Sequence, residues 1–97
     1  MHVQNIFCAF YYAGLVRIMS KSNLTPIEQY VVDKVREMRI AKGLTVRDLA
    51  NELDVSFGFV GDVESTKRRA KYKLEHLNKL AEIFDCSPRD FLPERSL

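Results

Sequence analysis

Ninety-seven residues make one small domain, and an apolar fraction of 46% is that of an ordinary globular chain with a single core. With 29% charged residues of both signs and a formal net charge of +2, bulk composition singles out neither a nucleic acid nor a membrane as partner. Cys8 and Cys86 lie far apart and His2 and His76 are isolated, so no metal-ligand spacing, redox pair or catalytic constellation is visible, and neither a cofactor nor an enzymatic activity is expected.

Residues 1–24 stand apart from the rest. The run at 6–16 (Ile-Phe-Cys-Ala-Phe-Tyr-Tyr-Ala-Gly-Leu-Val) is apolar throughout. A bilayer-spanning helix needs about 20 residues, so this run is too short. A secretory signal would carry positive charge ahead of it, and only His2 precedes it. Three readings stay open. Met19 is the natural start and the upstream stretch an extension, or the segment is an arm that packs on a partner subunit, or it retains a membrane-surface role. Residues 25–97 form the domain proper, and its reduced, unpaired cysteine chemistry fits the cytoplasm.

From Thr25 onward the pattern predicts five helices and no strands. Thr25-Pro26-Ile27-Glu28 is a capping box with proline at the first helical position, where its missing N–H costs nothing. Ile27, Val31, Val35 and Met38 then share one helical face, and Gly43 supplies a left-handed stop. Thr45-Val46-Arg47-Asp48 opens the second helix, with Leu49, Ala50 and Leu53 inward. A turn at Asp54 and Val55 leads to Ser56, the cap of a third helix over 56–65 with Val60 and Val63 inward. Leu74, Leu77, Leu80, Ala81 and Phe84 give a fourth amphipathic helix. Ser87-Pro88-Arg89-Asp90 opens a short fifth, carrying Phe91 and Leu92 and stopped by Pro93.

Helices two and three are joined by so short a turn that they must cross steeply, which limits the residues at the crossing. Leu49, Leu53, Val55, Val60 and Val63 supply the apolar positions, and Ala50 is small where a larger side chain would push the third helix away. Charge is also segregated. Residues 25–64 carry five bases and eight acids, whereas 65–73 carry Lys67, Arg68, Arg69, Lys71 and Lys73 and no acid. One loop, directly after the third helix, therefore concentrates five of the fifteen basic residues with no acid among them.

Residues 31–92 resemble the Cro/CI-type helix-turn-helix domain, also called XRE-family or lambda-repressor-like. The resemblance is carried by Val35-Arg36-Glu37-Met38-Arg39, Lys42-Gly43-Leu44-Thr45, Asp48-Leu49-Ala50, Val55-Ser56, residues 60–64, residues 77–84 and the closing Cys86-Ser87-Pro88-Arg89-Asp90-Phe91-Leu92. It implies an all-α, compact five-helix fold whose third helix enters the major groove of double-stranded DNA. It also implies an ion pair between Arg39 and Glu64, and a transcriptional regulator, in the first instance a repressor, that works as a homodimer. The alternatives are an antitoxin that represses its own toxin–antitoxin operon, with the toxin as protein partner, and a protein-interaction module that has lost sequence readout.

At about 100° per residue from the inward Val60, Gly58, Gly61, Asp62 and Ser65 point outward with Phe57 and Phe59 on the flanks, and the family's base-reading positions map to Phe57, Gly58 and Asp62. Phosphate contacts are expected from Thr45, Arg47, Ser56, Lys67, Arg68, Arg69 and Lys71. The chain departs from the family pattern here. Long amide or guanidinium side chains are missing from the reading face, Val46 replaces the usual glutamine, and Asp54 stands where glycine is common.

Overall fold

The structure, a computed structural model, describes residues 24–65 and 69–97. The N-terminal segment with its three readings lies outside the described residues, as do Lys67 and Arg68. Four α-helices and one 3-10 turn follow in chain order: α1 (Pro26–Ala41), α2 (Val46–Leu53), α3 (Phe57–Ser65), α4 (Leu74–Phe84) and η1 (Pro88–Phe91). Among the described residues there is no strand, and no helix is long and apolar enough to cross a membrane.

Local chemistry sets the boundaries. The Thr25, Thr45 and Ser87 hydroxyls each accept a backbone N–H from the first turn, while Glu28, Asp48 and Asp90 reach back to the capping residue's own amide. Each box thus satisfies two donors that a helix start leaves open. At the other ends the chain leaves the helix through left-handed residues: Gly43 (φ 77°), Asp54 (φ 60°) and Asp85 (φ 56°). Aspartate tolerates this region better than most side chains. Asp54 therefore closes α2 where glycine is usual, and Val55 N–H bonds back to the Ala50 carbonyl at 3.0 Å.

The core gathers Val31, Val32 and Val35 of α1, Leu49, Ala50 and Leu53 of α2, Val60 and Val63 of α3, Tyr72, then Leu77, Leu80 and Ala81 of α4, and Phe91. Phe91 is fully buried although it sits on a single 3-10 turn, and its ring lies 6.3 Å from that of Phe84. The sequence expectations need three corrections. The fifth helix is this 3-10 turn, because proline at its start and Pro93 just beyond its end leave no room for α-helical bonds. Ile27 is 44% and Leu74 81% exposed, because each lies in the first turn of its helix, beyond the reach of the core. The buried stripe of α1 instead takes in Val32 and the polar Gln29, whose amide donates to Asp33 at 2.9 Å.

Candidate nucleic-acid interface

The α2–turn–α3 unit is braced from beneath. Leu49, Ala50, Val60 and Val63 are each at most 1% exposed, so the two helices meet along a dry seam. Ala50 at that seam lets the α3 backbone approach closely. From the other side, Arg39 of α1 forms two parallel bonds to the Glu64 carboxylate, Nε at 2.8 Å and Nη2 at 2.9 Å, and its Nη1 donates to the Leu44 carbonyl at 2.7 Å. Arg36 stands 3.6 Å from the same carboxylate. One guanidinium therefore ties the end of α3 to the loop that opens α2, in the bidentate geometry that only arginine provides.

The opposite face of α3 is open. A Cβ built on Gly58 or Gly61 meets nothing within 4 Å, and Phe57 is 54% exposed at the helix start. Ser56 caps α3, its hydroxyl oxygen accepting the Phe59 N–H at 3.1 Å. At the start of α2, Asp48 and the Thr45 hydroxyl take up the capping bonds. The Thr45 amide hydrogen bond holds the Asp48 carboxyl below the usual carboxylate range. By helix geometry the amides of Val46 and Arg47 remain as the first-turn donors, beside the positive end of the helix dipole.

Residues 35–91, more than half of the chain, match the helix-turn-helix family. The chain belongs to that family, in its Cro/CI-type branch. This helix-turn-helix protein is a DNA-binding transcriptional regulator. Among solved structures it is similar to the restriction-modification controller protein C.AhdI from Aeromonas hydrophila, at 33% identity and a TM-score of 0.56, over 65% of this chain and 92% of that one. A chain of the SinR protein/SinI protein complex shares the fold at 20% identity and a TM-score of 0.56, over 66% of this chain and 61% of that one. No curated protein matches.

Of the expected base-facing residues in this helix-turn-helix protein, Phe57 and Gly58 are exposed and Gly61 and Asp62 half-buried along one side of α3. Phe59 is a correction. Its ring turns inward, 5.2 Å from His76 and 6.2 Å from Tyr72, and packs against the core. It precedes Val60 by one residue, and the aromatic side chains that follow the basic loop close over it. Lys71, expected at a phosphate, has a partner within the protein. It pairs with Glu28 at 2.6 Å, at the start of α1. Exposure alternates along this stretch, with Tyr72 buried in the core and Lys71 and Lys73 on either side of it exposed. Arg69 is exposed, and Lys67 and Arg68 lie outside the described residues.

Three contacts escaped the sequence reading. The Arg47 guanidinium lies over the Phe57 ring, 4.8 Å from its centroid. Arg36 joins Arg39 at Glu64, a pairing for which the i, i+3 spacing of the two arginines was the available signal. His76 accepts the Lys73 N–H on Nδ1 at 2.9 Å, acting as the acceptor of the α4 cap.

Proposed function

We propose that this protein is a transcriptional repressor that places α3 in the major groove of double-stranded DNA and works as a homodimer on a two-fold operator. The observation that carries this reading is the contrast between the two sides of α3: one locked to the scaffold by Val60, Val63 and Glu64, the other open at Gly58 and Gly61. A groove-inserted helix needs that combination, a rigid mount and a free face. Phe57, Gly58, Gly61 and Asp62 face the bases. The two glycines let the backbone approach the groove floor, and Phe57 offers an apolar contact to a thymine methyl. Thr45, Arg47 and Ser56, with Lys67, Arg68 and Arg69 of the basic loop, hold phosphates and set register. Two copies are needed because a single module of this size has limited specificity. The reading assigns the protein to the cytoplasm and gives it no catalytic role.

The test is selection of duplexes from a random pool by the intact chain, followed by binding of the selected duplex to wild type and to Gly61→Glu. A carboxylate on the open face meets no protein atom at its Cβ, so the variant folds, and its charge opposes the DNA. Affinity is expected to fall at least tenfold. Undiminished binding by the folded variant would remove α3 from the groove. One observation favours a second reading, since an exposed phenylalanine beside two glycines also suits a protein partner. Failure to select any duplex, together with a partner whose binding Phe57→Ala abolishes, would establish that reading instead.

A further inference from the structure

We propose that Phe57 is a positioning residue for Arg47: its ring holds the guanidinium flat, so that the edge donors are aimed at a DNA phosphate. The proposal rests on the DNA reading above and deepens it. Arg47 and Phe57 are ten positions apart, yet each stands in the first turn of its own helix, Arg47 second in α2 and Phe57 first in α3. The crossing of the two helices brings their starting ends together, and the guanidinium carbon comes to lie 4.8 Å from the ring centroid.

The chemistry separates two surfaces of one side chain. A guanidinium stacked on a ring uses its face, and its five N–H donors all lie in the plane and stay available. Stacking thus removes rotamer freedom without consuming a hydrogen bond. An unrestrained arginine loses that freedom only when it meets its phosphate, and pays for it in affinity. The position suits the task. The α2 capping box already satisfies Thr45 and Asp48, and the Asp48 carboxylate there repels an approaching phosphate. A fixed cation beside it offsets that repulsion. The stack also changes the role of Phe57, because the ring face covered by Arg47 is closed to DNA and only its other face and rim remain for a base.

Both side chains are exposed, so their variants fold, and the chain is studied whole. In the free protein, the Arg47 side-chain protons are expected to show ring-current shifts in the NMR spectrum that vanish in Phe57→Leu and persist in Phe57→Trp. Binding is then measured to a synthetic duplex of arbitrary sequence at low salt, which reads phosphate contacts without knowledge of the operator. Arg47→Ala should weaken binding and lower the log–log salt slope by about 1 unit. Phe57→Leu should weaken binding about threefold to fivefold. The double variant should be no weaker than Arg47→Ala alone, and Phe57→Trp, which keeps a ring beneath the guanidinium, should recover most of the loss seen in Phe57→Leu. Multiplying losses in the double variant, or a Trp variant as weak as the Leu variant, would overturn the positioning role. If Arg47→Ala and a Lys67/Arg68/Arg69 triple-alanine variant both leave duplex binding unchanged, the DNA reading itself falls, and the positioning role with it.

Discussion

A carboxylate whose side chain is only 9% exposed needs compensating charge close by, and Glu64 takes it from Arg39 in two bonds and from Arg36 at longer range. Arg39 is itself 11% exposed at its side chain, so each partner depends on the other for the solvation it gave up. Removing one is therefore expected to cost far more than removing both. Arg39→Met or Glu64→Leu alone should lower unfolding free energy by about 3–5 kcal/mol, whereas the Arg39→Met/Glu64→Leu pair should recover at least half of that loss. Urea unfolding of the three variants measures the coupling, and losses that simply add would mean the two charges are solvated independently. The pair was implied by the family resemblance, but the part Arg36 plays was not. Nor was the inward turn of Phe59, since its partners Tyr72 and His76 follow the basic loop and a helical wheel drawn on α3 alone does not contain them.

At the level of the elements, what depends on three or four consecutive residues was legible, and what depends on distant partners was not. The capping boxes at Thr25, Thr45 and Ser87 could be read from spacing because donor and acceptor are fixed by the same turn of backbone. The exposure of Leu74 could not, because whether an apolar residue in a first turn meets the core depends on where the neighbouring helix ends. The α4 cap is of a less common kind. His76 must be neutral at Nδ1 to accept the Lys73 amide, and burial, with the Lys73 charge beside it, lowers its pKa. A histidine whose folded pKa is depressed stabilises above the unfolded value near 6.5, and that stability is lost as pH falls through the folded value. Loss of one cap is worth about 1 kcal/mol, or roughly 4–8 °C in a domain of this size. Melting temperature should therefore drop as pH is lowered from 7.5 to 5. In His76→Gln, which accepts without titrating, the drop should be smaller by that amount. Parallel curves for the two proteins would show that the imidazole has no part in the decline.

For the molecule as a whole, the distribution of charge matters more than its net value of +2. With Lys71 paired to Glu28 and Lys73 at the α4 cap, three of the loop's five cations are left for phosphates: Lys67, Arg68 and Arg69. Replacing all three by alanine is expected to reduce the slope of log affinity against log salt by about 3 units. Lys71→Ala should leave it nearly unchanged and instead loosen the start of α1. Fluorescence anisotropy at four salt concentrations distinguishes them, and an equal fall in slope for Lys71→Ala would place that lysine back at the DNA. Fold class and the location of the helix-turn-helix were readable because the hydrophobic pattern and the charge run are both written along the chain. The division of labour within the loop was not, since it follows from which way Lys71 faces once Tyr72 is buried.

The acidic scaffold around that single basic loop has a kinetic corollary. Residues 25–64 carry three more negative than positive charges and residues 74–97 two more, so the chain on either side of the basic loop is on balance repelled by the polyanion. Encounters with arbitrary genomic sequence are then brief and held by few counterion-releasing contacts. Less of the protein is then expected to be held on non-cognate DNA.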